Sequence, residues 1–167
     1  MGKYLNIGNA GFAAVRKGKY VDKTGMIAFI NNTLGTTDKL TCVSRPRRFG
    51  KSFAAKMLCA YYDKSCDSHE LFEGLKISKI SSFKKYLNKY NVIYLDVTLF
   101  ISRAINIKDV VKNINYEVKT EIAKAFPQVE IGIDLAETLI HITEATNEKF
   151  IMIIDEWDAL FREMKED

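Results

Sequence analysis

The chain has 167 residues, 47% hydrophobic and 28% charged, with a net charge of +4. That size and balance suit a single globular domain with one substantial core and exclude a disordered chain. No apolar run reaches the roughly 18 residues of a membrane span, and Met1-Gly2-Lys3-Tyr4 does not open a secretory leader, so a cytoplasmic protein without membrane contact is expected.

In chain order, residues 11–16 read as a short helix, 20–21 as an extended stretch and 23–34 as a helix, followed by a Gly-Thr-Thr-Asp turn at 35–38. Residues 39–43 read as a strand and 53–62 as a helix. A polar stretch then leads to a helix from 81 or 82 to about 90. A second strand covers 92–97. Val110, Val111, Ile114, Val118 and Ile122 recur at helical spacing and place a helix over 107–125, ended by Pro127. Another helix over 133–146 leads to the apolar strand 150–154. Strands separated by helices indicate an α/β domain of three layers with a mainly parallel sheet.

The three cysteines, Cys42, Cys59 and Cys66, form no C-x-x-C pair and are odd in number, as in a reduced protein with idle thiols. His69 and His141 have no ligand-like spacing. The charge is segregated: residues 1–90 carry 17 Lys/Arg against 6 Asp/Glu, and residues 91–167 carry 8 against 15. A basic half and an acidic half fit a nucleotide with its metal, although segregation along a sequence need not survive folding as a patch. Lys84, Lys85 and Lys89 fit a solvated helix face first and a nucleic-acid contact second.

Two segments carry the chemistry. Arg45-Pro46-Arg47-Arg48-Phe49-Gly50-Lys51-Ser52 lies between an expected strand and an expected helix, the context of a phosphate-binding (Walker A) loop. Gly50 admits close approach of the backbone to phosphate. The loop amides and the helix start, Phe53 included, present N–H groups to an anion. Lys51 can reach the β- and γ-phosphates, and the Ser52 hydroxyl can ligate Mg²⁺. Arg45 stands where the general G-x-x-x-x-G-K-[ST] pattern has its first glycine. Arg48, and after it Arg47, are candidates for bidentate phosphate contact, against solvent exposure or pairing with Asp158. The second segment, Phe150-Ile151-Met152-Ile153-Ile154-Asp155-Glu156, is an apolar run suited to a strand buried on both faces and ended by two carboxylates, the form of a Walker B strand. Asp155 would hold Mg²⁺ and Glu156 would polarise the attacking water.

These loop residues, the upstream Tyr20-Val21-Asp22-Lys23-Thr24 and the Asp155-Glu156-Trp157-Asp158 ending together resemble the AAA-ATPase-like family of prokaryotic P-loop proteins, over about residues 12–160. In that family Arg45 is no departure. The resemblance implies ATP and Mg²⁺ as ligands, a helical lead-in over about 1–37 and a P-loop core over about 38–160. It places Tyr20 near the adenine, although filling core beside the loop helix is the alternative. Asp158 would orient the metal's water or cap a helix. Arg162, or else Arg103, would be an arginine finger. Family members continue into a sensor strand and often a nuclease-like domain, and this sequence stops nine residues after Asp158. The expectation is an incomplete sheet in a piece of a longer protein, or a sheet completed by a homo-oligomer or partner chain. The activity expected is Mg²⁺-dependent ATP binding, with ATP hydrolysis in the context of the full-length protein. The alternatives are a non-catalytic nucleotide-responsive module and a DNA-associated part of an ATPase–nuclease.

Overall fold

The computed structural model describes residues 2–44 and 50–163. The chain divides into two compact units: residues 8–90, and residues 1–7 together with 91–167.

Residues 8–90 are helical. Helix α1 spans Ala10–Arg16, α2 Gly25–Thr33 and α3 Lys51–Tyr62, with one-turn helices α4 at His69–Phe72 and α5 at Phe83–Tyr86 and a 3-10 turn at Lys76–Lys79. Helix α3 is rich in strong helix formers (Ala54, Ala55, Met57, Leu58, Ala60) and buries Ala55, Met57, Cys59, Ala60, Tyr61 and Tyr62. Its last residues pack in an aromatic cluster. The rings of Phe12 and Phe72 stack at 5.0 Å, and Tyr61 meets Phe72 edge-on at 5.4 Å. Buried polar groups in this core are bonded, as their desolvation requires. The Tyr62 hydroxyl donates to Asn31 Oδ1 at 2.8 Å, Asn31 Nδ2 donates to the Tyr61 hydroxyl at 3.1 Å, and that hydroxyl donates to the Phe83 carbonyl at 2.8 Å.

The other unit holds the sheet. Strands β1 (Asn91–Asp96) and β2 (Phe150–Asp155) pair in parallel, with Asn91 opposite Phe150 and Asp96 opposite Asp155. Parallel neighbours need a long crossover, here made by α6 (Val97–Ile101), α7 (Ile107–Ala125) and α8 (Leu135–Thr146); α9 (Ala159–Glu163) follows β2. Side-chain caps start the two long helices: Asn106 accepts from the Asp109 amide at 3.1 Å and Asp134 from the Glu137 amide at 2.9 Å. Their apolar stripes (Val110, Val118 and Ile122; Leu135 and Ile142) cover Ile93 and Leu95 of β1. The other edge of β1 is held by the N-terminal residues, through a Leu5–Ile93 bridge and bonds from the Asn6 amide to the Val92 carbonyl and from the Tyr94 amide to the Tyr4 carbonyl.

The fold class is thus α/β with a parallel, open sheet, here of two strands among the described residues. Three expectations are corrected. Residues 39–44 form no strand and are exposed, Leu40 by 89%. Every hydrogen bond of a strand is non-local, so a β-like composition cannot form one without a neighbour. Strand β2 is not buried on both faces, because Met152 and Ile154 are exposed while Ile153 and Asp155 are covered. The helix expected from 81 or 82 to about 90 is one turn, Phe83–Tyr86, since Asn88 adopts φ +54° and the Asn88 and Tyr90 amides bond instead to the Tyr61 and Tyr62 carbonyls.

Candidate functional site

Within residues 8–90, Gly50 precedes α3 in the left-handed region (φ +76°, ψ 32°), a conformation glycine adopts without strain. The first turn of α3 contains no acidic residue, and its N-cap residue, Gly50, has no side chain to cap it. Lys51 and Ser52 open that turn half-buried, and Phe53 is exposed. A cavity of about 290 Å³ is lined by Lys19, Tyr20, Val21, Lys23, Gly50, Phe53, Ala54 and Met57, and not by Lys51 or Ser52. Three sequence-predicted residues, Tyr20, Gly50 and Phe53, therefore share one cavity. Arg45, Pro46, Arg47, Arg48 and Phe49 lie outside the described residues.

The Tyr20–Thr24 block is pinned beside this cavity. The Tyr20 ring meets Phe12 edge-on at 5.4 Å, the Arg16 guanidinium lies over it at 5.5 Å and its hydroxyl donates to Met57 Sδ at 3.4 Å, so the residue is packed while it still lines the cavity. Burial pushes its phenol pKa up. Asp22 faces the 76–79 turn. Its carboxylate accepts from the Thr24 amide and hydroxyl at 2.9 and 2.6 Å and from the Lys76 amide at 2.8 Å. Burial raises the proton affinity of Asp22, but these donors outweigh it and hold the carboxyl below the usual range. Thr24, fully buried, accepts from the Ile77 amide at 3.1 Å.

Within the sheet unit, Asp155 ends β2 at the carboxyl edge and is 6% exposed. Its Oδ1 accepts from the Glu156 amide at 3.0 Å and its Oδ2 from the Tyr94 hydroxyl at 3.2 Å. Each oxygen keeps a lone pair, so this carboxylate suits a metal ligand whose direction is already set. Glu156 turns the chain with φ +53°, uncommon for a residue with a side chain. Arg162 of α9 joins Glu156 at 2.9 Å and Asp158 at 2.6 Å. Asp158 precedes α9, and its carbonyl accepts from the Phe161 and Arg162 amides. Arg103 lies 3.7 Å from Glu117 and is half exposed.

Sequence reasoning missed Tyr94, the donor to Asp155, and Lys23, whose ammonium lies against Gly50. Tyr94 had a signal, a lone hydroxyl inside the apolar run Val92-Ile93-Tyr94-Leu95. Among the described residues no helix is long and apolar enough to cross a membrane. No curated protein and no solved structure matches the chain. A family described as predicted AAA-ATPase matches residues 6–167, nearly the whole chain, and the protein belongs to this AAA-ATPase-like family.

Proposed function

We propose that this chain binds ATP with Mg²⁺ as one nucleotide-binding domain and hydrolyses it. The observation that carries the reading is the start of α3: a left-handed Gly50, then Lys51 and Ser52, on a 12-residue helix whose first turn has no acidic residue. A helix start with glycine at its N-cap and no acid in its first turn offers amides and partial positive charge to an anion. The cavity with Tyr20 and Phe53 at that end supplies two aromatic faces for a flat base.

In this reading the loop 45–49, Gly50 and the Phe53 amide cradle the phosphates, and Lys51 supplies the ammonium. Within its own unit Ser52 offers a hydroxyl oxygen to a metal; within the sheet unit Asp155 is the candidate metal ligand, with Tyr94 and the Glu156 amide fixing how it points. Bound Mg²⁺ would neutralise charge on the β- and γ-phosphates. Glu156 orients the attacking water and takes its proton, for which its bond to Arg162 must open. That same pair favours a second reading, a nucleotide-responsive module that binds ATP without turning it over. Single-turnover hydrolysis by wild type and Glu156→Gln separates the two. Loss of rate in the variant supports hydrolysis, and equal background rates leave only the module.

A further inference from the structure

Residues 74–90 hold five lysines and no aspartate or glutamate. Successive turns make this stretch a fixed surface: the Ser78, Ile80, Phe83 and Lys85 amides donate to the Leu75, Ile77, Ile80 and Ser82 carbonyls. The 3-10 turn at Lys76–Lys79 packs on α5. Leu75, Ile77 and Phe83 are buried beneath it, while Lys76, Lys79, Lys84, Lys85 and Lys89 are exposed. The Lys76 charge acts on the Asp22 carboxylate, so the outward charge falls to the other four. Among the described residues none of these four is in an ion pair, whereas in the sheet unit Lys3 and Arg103 pair with Glu117, and Arg162 with Glu156 and Asp158. Residues 8–90 carry 16 Lys/Arg against 6 Asp/Glu, and two of those acids, Asp22 and the fully buried Asp63, turn to backbone amides.

Like charges gathered on one fixed surface repel one another, and a polyanion relieves that repulsion while releasing its own counterions. The chemistry here suits phosphates and not bases. The Tyr86 ring carries the Lys85 ammonium at 4.9 Å and stacks on Tyr90 at 6.4 Å, so it is taken up where a base would lie. A membrane surface is served less well, because Leu75, Ile77 and Phe83 face inward and Ile80 is only 38% exposed. We propose that the surface of Lys79, Lys84, Lys85 and Lys89 docks the phosphate backbone of a nucleic-acid duplex without reading its sequence. The inference stands apart from the ATP-binding reading, since none of these lysines lines the cavity or opens α3.

The test is fluorescence anisotropy of a labelled DNA duplex of about 20 base pairs and mixed sequence, titrated with protein between about 50 and 200 mM salt. Wild type should bind with a log affinity that falls linearly with log salt. Lys84→Gln with Lys85→Gln should weaken that binding and reduce the slope by about 2, one for each lost phosphate contact. Arginine at both positions should bind as wild type does. Lys108→Gln with Lys112→Gln removes the same charge from exposed positions of α7 and should leave the slope unchanged. All four lysines are exposed, so the variants should unfold at the wild-type temperature, which thermal unfolding checks. Absence of duplex binding by wild type at the lowest salt would overturn the inference. An equal loss in the α7 variant would reduce it to an effect of net charge and overturn it too. Wild type that sediments with phosphatidylserine vesicles while leaving the duplex free would give the surface to a membrane instead.

Discussion

Arg162 and Glu156 are joined by an ion pair of 2.9 Å across the turn that follows β2, and the same guanidinium holds Asp158. A carboxylate engaged this way is directed at its partner and must leave it before it can orient a water. Arg162→Ala should therefore raise single-turnover ATP hydrolysis by roughly fivefold, the scale of a modest ion pair. Glu156→Gln should abolish that gain when the two changes are combined. A slower Arg162→Ala enzyme would instead make the guanidinium a participant in the reaction.

The Asp22 carboxylate ties the Tyr20–Thr24 block to the 76–79 turn. Its folded pKa lies below the ordinary 3.8, so its stabilising contribution is fully present above that value and fades as the pH falls through the lower folded one. Asp22→Asn should lower stability at neutral pH by roughly 1 kcal/mol, solvent screening included. The difference from wild type should shrink below about pH 4. Urea midpoints measured across that range check both the size and the sign.

How much of this was legible in the sequence follows from where each element gets its bonds. Helix α7 was read with its observed ends because its apolar stripe and its Pro127 stop are local. Strands β1 and β2 showed as apolar runs, and Asp155 and Glu156 at the end of β2 followed from order alone. The segment 39–43 looked like a strand by composition, yet a strand is made by its neighbour. The place of Gly50, Lys51 and Ser52 at the start of α3 was readable from spacing. Tyr94 and Lys23 were not, since a hydroxyl on one strand reaching a carboxylate on the next, or an ammonium reaching a glycine 27 positions away, is a product of folding.

Gly50 holds φ +76° where an added Cβ also meets Lys23. The meeting itself is cheap, because Nζ is the far end of a flexible chain. The backbone conformation is not, and costs an L-residue roughly 1–2 kcal/mol. Gly50→Ala should lose about that much in urea unfolding and should weaken ATP binding as well. An unchanged midpoint would mean that the left-handed turn before α3 is not formed.

The central claim, that the start of α3 is a nucleotide phosphate site, is tested most directly by isothermal titration of ATP with Mg²⁺ into wild type and Lys51→Ala. The prediction is a saturable, single-site isotherm for wild type and an affinity about tenfold or more weaker without the Lys51 ammonium. Absence of binding by the wild-type chain, or equal affinity in the two proteins, would contradict it.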